Sequence, residues 1–235
     1  MSLLVDRVVA EYYQTNCWIV APGPNSECVI VDPGIAIPSL NPAIQAKLNE
    51  YNLKLGAVLI THGHLDHTFS LITDSSDFLE IDCYVHEKDR DLLNHPERAM
   101  GPQSQELVKQ LRAQVDPNLT FREQTRTWNV EDGARLKLGE MNFEIKHTPG
   151  HTPGSIVAMI NDELLISGDV LFKGSIGRTD LPRGSMSDME LSLREKIALL
   201  PEALRVLPGH GDETTIGMEL KTNPYLQAAI DGRLA

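Results

Sequence analysis

The chain has 235 residues, 41% of them hydrophobic and 23% charged, with a formal net charge of −12. That length is ample for a buried core, and an acidic surface repels phosphate backbones, so nucleic acid is not an expected partner. No apolar run approaches the roughly 20 residues of a membrane span, and no like-charge tail is present, so no membrane partner is expected either.

In chain order, Asn16–Val20 and Glu27–Val31 are β-rich runs, and the Ala21-Pro22-Gly23-Pro24-Asn25-Ser26 stretch between them has turn chemistry for a hairpin. Residues 42–52 carry a helical pattern, with Pro42 near the first turn and Ile44, Leu48 and Tyr51 spaced by four and three. Ala57–Ile60 reads as a buried strand and Cys83–His86 as another. Residues 88–127 are polar, with a helix over 103–115 carrying Leu107, Leu111 and Val115; this segment reads as a surface excursion or lid, not core. Strands resume over 127–130, 135–138, 142–147, 155–160, 163–167 and 203–207. A helix fills 187–199 with Leu191, Ile197 and Leu200 inward, and a last short helix within 219–231 follows Asn223-Pro224. Interleaved strands and helices, with hairpins as well as crossovers, predict a mixed α/β architecture. With no repeat, low-complexity tract or linker, residues 1–235 read as a single domain.

Four of these strands leave the core, turn and present histidine or aspartate. Ile60 runs into Thr61-His62-Gly63-His64-Leu65-Asp66-His67; the 142–147 strand runs into a tight loop holding His151; Leu164–Gly168 leads to Asp169; Leu207-Pro208-Gly209 leads to His210. Neighbouring imidazoles that all charge would repel, whereas imidazole nitrogen and carboxylate oxygen suit zinc, non-haem iron or manganese. His62, His64, Asp66, His67, His151, Asp169 and His210 are too many for one open site of about three protein ligands, and suit two metals sharing one ligand. On an extended segment His62 and His64 project to one side and can share a metal, while Asp66 and His67 can turn to a second. His86, His95 and His147 read as hydrogen-bonded structural residues, with His147 also able to support a ligand, and Asp32 reads as a turn-former or a ligand's partner. Cys17, Cys28 and Cys83 are an odd, widely spaced set without Cys-x-x-Cys, which argues for buried small hydrophobes in a reducing compartment. The opening Met1–Arg7 lacks a basic segment followed by a long apolar stretch, so no signal peptide is expected and the cytoplasm is the expected location.

The 62–67 stretch resembles the His-x-His-x-Asp-His signature of the metallo-β-lactamase fold, and His151, Asp169 and His210 look like that superfamily's remaining ligands in the same chain order. The resemblance runs from Asn16-Cys17-Trp18 to Asn223-Pro224. It implies a four-layer αββα sandwich, two mixed β-sheets flanked by helices, with two divalent metal ions at one edge: zinc first, iron or manganese as alternatives. It assigns His62, His64 and His151 to one metal, Asp66, His67 and His210 to the other, and Asp169 to a bridge. Thr148–Gly154 and Ser167–Phe172 look most like the glyoxalase II group, the hydroxyacylglutathione hydrolases, and 174–182 and 208–211 are similar to its short bacterial branch. Longer members carry a C-terminal helical domain that contacts glutathione; residues 211–235 are too few for one here. Arg178 matches a basic position near the thiol conjugate, which implies a substrate-binding role.

The function so implied is a metallo-hydrolase acting on a small-molecule thioester or thiol conjugate. Two metals bring a water's pKa down to about 7 and polarise the carbonyl, and Asp66 is the expected catalytic carboxylate. A thiol, with a pKa near 8.5, leaves as thiolate without much help, whereas an amide nitrogen needs an acid. The alternative is a mononuclear iron persulfide dioxygenase, whose Gly-Arg-Thr-Asp stretch resembles 177–180 and whose iron would sit on His62, His151 and Asp169. The net charge argues against a phosphodiesterase or nuclease, and the intact donor set argues against a non-catalytic binding protein.

Overall fold

A computed structural model describes residues 3–73, 78 and 80–235; Met1 and Ser2, on which the leader reading drew, lie outside the described residues. The first sheet uses β1 (Leu4–Val9), β2 (Asn16–Ala21), β3 (Glu27–Val31), β4 (Lys54–Leu59), β5 (Asp82–His86) and β6 (Thr127–Val130), in that spatial order. Its β1-β2-β3 part is antiparallel and its β3-β4-β5-β6 part parallel, because helices cross between the later strands. Those helices are α1 (Asn41–Glu50), α2 (Leu65–Ile72), α3 (Glu87–Asn94) and α4 (Pro102–Gln114). The second sheet contains β7 (Arg135–Leu138), β8 (Met141–His147), β9 (Ile156–Ile160) and β10 (Leu164–Gly168) as an antiparallel meander. A small hairpin, β11 (Leu171–Phe172) and β12 (Ser175–Ile176), and helix α5 (Met186–Ser192) then lead to β13 (Arg205–Pro208), which adds parallel to β10, and β14 (Thr214–Thr215). Helices α6 (Ile216–Thr222) and α7 (Pro224–Ile230) close the chain.

Alternation along the strands divides the apolar residues between three layers of core. Trp18, Val20, Val29, Val31, Ala57 and Leu59 of the first sheet meet Phe143, Ile145, Ile156, Ala158 and Ile166 of the second, which seals the two sheets face to face. The intervening residues Cys17, Ile19, Cys28, Ile30, Val58 and Cys83 point the other way, onto Ile44, Leu48, Phe69 and Leu111 of the helices. On the far side Val157, Leu165 and Val206 meet Met189, Leu193, Ile197, Ile216 and Leu226. The result is the four-layer αββα arrangement. The three cysteines are buried and unpaired, and burial pushes the Cys28 and Cys83 thiols up to about 12. Among the described residues no helix is long and apolar enough to cross a membrane.

Three expectations change. The 88–127 segment is not a surface excursion: Leu92, Leu93, Leu107, Val108, Leu111 and Leu119 are buried, most of them in the core beneath the first sheet. Its polar average comes from the outward faces of α3 and α4, and the single apolar stripe was enough to seat both helices. Leu191 does not face inward but is 44% exposed. Met189 and Leu193 face inward instead, and past Ser192 the helix widens into a π-type turn over Leu193–Ile197. The C-terminal region holds two short helices, broken where the Asn223 side chain accepts from the Tyr225 and Leu226 amides and so caps α7 ahead of Pro224. β1 and α2 carried no clear signal in the sequence.

Candidate metal centre

The seven His and Asp side chains converge at one edge of the sandwich, beyond the ends of β4, β8, β10 and β13. Past the end of β4 the chain bends at Thr61 and His62, and His64, with an extended backbone, is the cap residue of α2. Asp66 and His67 occupy the first turn of α2, where a carboxylate is favoured by the helix dipole. Gly168, at φ +48°, turns β10 sharply so that Asp169 faces the cluster, and a Cβ there would lie 2.5 Å from Thr61 Oγ1. Gly209 lets the β13 turn approach closely, since a Cβ at that position would collide with Asp169 Oδ1.

Two groups form. In the first, His62 Nε2 lies 3.1 Å from His64 Nδ1, His151 Nε2 lies 3.2 Å from His62 Nε2, and His151 Nε2 lies 2.9 Å from His64 Nδ1. In the second, His67 Nε2 and His210 Nε2 are 3.2 Å apart, with Asp66 Oδ2 3.6 Å from the former and 3.5 Å from the latter. Asp169 lies between the groups: its Oδ2 is 3.6 Å from His151 Nε2 and 3.4 Å from His210 Nε2, and its Oδ1 is 3.5 Å from His67 Nε2.

The outward nitrogens fix how these rings are protonated. His151 Nδ1 donates to the Arg178 carbonyl at 2.7 Å, His210 Nδ1 to the Tyr13 carbonyl at 3.0 Å, and His67 Nδ1 to Asp32 Oδ2 at 3.0 Å. Thr61 Oγ1 donates to Asp32 Oδ2 at 2.6 Å, so its oxygen is left to accept from His62 Nδ1 at 3.1 Å. Each of these four rings, engaged at Nδ1, therefore turns Nε2 inward, in facing pairs that repel when bare and are satisfied by a cation or proton between them. Tetrahedral zinc–imidazole geometry sets nitrogens roughly 3.3 Å apart, close to the spacing of the first group. Asp169 Oδ1 is buried without a hydrogen-bond partner. The donor set thus fits divalent cations.

Electrostatics differ between the groups. Burial, reinforced by the other imidazoles, drives His62 well below the usual histidine range and His64 down to about 3. Burial opposes charge on His67 and His210 too, but the carboxylates outweigh it: Asp169, Asp66 and Asp32 hold His67 well above its usual value, and bonds to Asp169 and Asp66 bring His210 up to about 9. Burial raises Asp66 and Asp169, yet His67 and the bond from His210 prevail, holding Asp66 at about 2 and Asp169 well below the usual range. A cation entering the second group would therefore displace protons from imidazole.

Sequence reasoning missed the residue that ties the two loops together. Asp89, on α3, is fully buried; Oδ2 accepts from the Gly63 amide at 2.9 Å and Thr152 Oγ1 at 2.6 Å, and Oδ1 from the Gly154 amide at 3.0 Å. One carboxylate thus joins the His62–His64 stretch to the His151 loop. In the sequence it sits within Glu87-Lys88-Asp89-Arg90-Asp91, which reads as a solvated charge run. Asp32 supports Thr61 and His67 as described. His147 stays out of the cluster: it stacks on His86 with centroids 4.0 Å apart and bonds the Pro153 carbonyl. His95 is exposed and pairs with Glu97.

A cavity of about 400 Å³ opens over both groups, walled by Tyr13, Met100, Phe172, Ile176 and Leu181, with Arg178 at its side. Of residues 88–127, Met100 is the one that lines it. A larger cavity of about 790 Å³ lies over β7–β9 and carries none of the seven residues.

An αββα sandwich with clustered imidazoles and carboxylates at one edge defines a class of metallo-hydrolases. The family model described as the Metallo-beta-lactamase superfamily matches residues 11–210, and the chain belongs to that superfamily. The chain is similar to the hydroxyacylglutathione hydrolase GloC of Haemophilus influenzae, at 36% identity over 95% of this chain and 98% of the relative. Among solved structures it is similar to the BLEG-1 B3 metallo-beta-lactamase, at 33% identity and TM-score 0.78 over 95% of this chain and 99% of that one. It is also similar to TTHA1623, solved in a di-iron-bound form, at 28% identity and TM-score 0.68 over 94% of this chain and all 100% of that one.

Proposed function

We propose that the protein hydrolyses small thioesters at a two-metal centre. His62, His64 and His151 would hold one divalent cation, Asp66, His67 and His210 the other, and Asp169 would bridge them. The observation that carries this reading is Asp169, whose Oδ2 faces both groups, His151 of the first and His210 of the second, while Oδ1 faces His67 of the second. The di-iron form of TTHA1623 and the GloC relative support the metal count and the thioester. When bound, such a cation pair supplies an ionised water at neutral pH and charge that polarises a carbonyl.

The chain's own residues do the rest. Asp32, Thr61 and the Arg178 and Tyr13 carbonyls hold the imidazoles in the tautomer that leaves Nε2 free. Tyr13, Met100, Phe172, Ile176 and Leu181 take up the acyl group and exclude water from it. Asp66 lines the cavity and is assigned to move the proton released in the reaction. Among the described residues no lysine lines the cavity, and its arginine is paired with Asp180, so the leaving group is assigned to depart with little proton help, which suits a thiolate.

The test is the His64→Ala variant. Loss of metal and of thioester hydrolysis together supports the assignment, and full activity in that variant refutes it. Oxygen uptake driven by a persulfide, with no thioester turnover, would place the protein with one-metal dioxygenases instead. The BLEG-1 likeness makes a chromogenic β-lactam the natural control substrate.

A further inference from the structure

One wall of the cavity is the β11–β12 hairpin, which supplies Phe172, Ser175 and Ile176. It pairs only Leu171 with Ile176 and Phe172 with Ser175, around a turn whose Gly174 has φ +72°. A ladder that short does not hold its shape unaided. Leu171 and Ile176 pack against the core beneath the second sheet, but the turn end is held by polar bonds from the C-terminal helices. Glu219, on α6, is fully buried, and every donor to its carboxylate is neutral. Its Oε2 accepts from the Gly174 amide at 2.8 Å and from Asn223 Nδ2 at 2.9 Å, and its Oε1 accepts from Thr214 Oγ1 at 2.6 Å. Asn223 Nδ2 in turn reaches the Ser175 carbonyl at 3.0 Å and the Phe172 carbonyl at 3.3 Å, while Oδ1 caps α7. Both strands and the turn are thus gripped by one carboxylate and one amide. Taking a carboxylate out of water is costly unless hydrogen bonds replace its hydration, and here those bonds end on a wall of the cavity.

We propose that Glu219 is a positioning residue for the acyl site: through Gly174 and Asn223 it sets the hairpin so that Phe172 and Ile176 face the chain of the substrate. The inference rests on the thioester reading above and deepens it. Phe172 also meets the His210 ring edge-on, with centroids 6.0 Å apart. Beyond Ile176 the chain is held separately. Gly177 lies against the Asp169 carbonyl so closely that a Cβ would overlap it, and the Arg178 carbonyl accepts from His151. Loosening the hairpin should therefore move the apolar wall and leave the seven donors in place.

The experiment follows S-propionyl- to S-hexanoyl-N-acetylcysteamine on the metal-loaded full chain. A methylene fully buried on such a wall is worth about four-fold, so wild-type kcat/KM should rise about three-fold per added methylene. Glu219→Asp keeps the carboxylate but withdraws it by about 1.5 Å, out of reach of Gly174 and Asn223 together. It should reduce the gain to about 1.5-fold per methylene through KM, with kcat and metal content little changed. Glu219→Gln should restore the wild-type dependence, because its carbonyl can accept from Gly174 and Asn223 while its NH₂ donates to the Thr214 hydroxyl. Should Glu219→Asp fail to fold, Asn223→Ser carries the same test: serine still caps α7 but releases the Phe172 and Ser175 carbonyls. A wild type indifferent to chain length, an Asp or Ser variant with the wild-type dependence, or a Gln variant as defective as Asp overturns the proposal. Calorimetric binding of the unreactive thioethers S-propyl- and S-hexyl-N-acetylcysteamine separates this claim from the thioester reading. If no ester is hydrolysed, the thioester reading fails, and a hexyl advantage equal in wild type, Glu219→Asp and Asn223→Ser sinks the Glu219 claim as well. A hexyl advantage reduced in those variants sustains it.

Discussion

Replacing Asp89 perturbs the centre without touching any of the seven donors. In Asp89→Ala the Gly63 amide, the Thr152 hydroxyl and the Gly154 amide lose their shared acceptor in a buried setting. Each unsatisfied donor costs at least about 1 kcal/mol. Arg183, 3.7 Å from the carboxylate, also loses a counter-charge. The loss of stability should total about 3–5 kcal/mol, a large share of the roughly 5–15 kcal/mol typical of a domain. Asp89→Asn keeps one carbonyl oxygen; placed at the Oδ2 position it still accepts from Gly63 and Thr152, while its NH₂ faces the Gly154 amide, so the cost should fall to about 1–2 kcal/mol. Urea unfolding of chelated protein isolates this term from metal binding, and metal content measured on the same variants should fall first from the His62–His64–His151 group. An Asp89→Ala protein within about 1 kcal/mol of wild type would show that the carboxylate does not bind the two loops together.

The Leu107→Ala variant should lose about 2–4 kcal/mol in denaturant titration, because Leu107 is buried at 8% exposure; a loss under about 0.5 kcal/mol would return α4 to the surface. His86 gives a pH signature. Burial, followed by the neighbouring His147, lowers it to about 4, so between that value and the ordinary 6.5 the unfolded chain binds the proton and the folded chain does not. This contribution to stability is complete above pH 6.5 and is lost as pH falls through 4, by at most about 3 kcal/mol. His86→Asn should flatten that part of the stability–pH curve relative to wild type, and an unchanged slope would contradict the cause given.

The convergence of the seven His and Asp side chains was legible because metal chemistry needs particular atoms, and strands that end in His or Asp advertise them. The strand layers were legible too, since Trp18 and Val20 alternate with Cys17 and Ile19 as a two-sided sheet requires. Other features were hidden because they depend on contacts distant in sequence. Asp89 meets Thr152 and Gly154 only after the second sheet has folded against the first. Helix α2 begins at His64, which lacks the side-chain cap that usually announces a helix start. The buried stripe of α4 was masked by the polar residues around it. Asp180 lies two positions from Arg178, close enough to read, yet only the geometry shows that its carboxylate fills the guanidinium fork.

The proposed thioester hydrolysis requires two cations on the seven residues. A titration of divalent metal into chelated protein, followed by hydrolysis of S-lactoyl-N-acetylcysteamine, checks that requirement. Activity absent at the start and rising to a plateau at two metals per chain is the predicted result. Undiminished turnover in the chelated protein, or none at metal saturation, would contradict it.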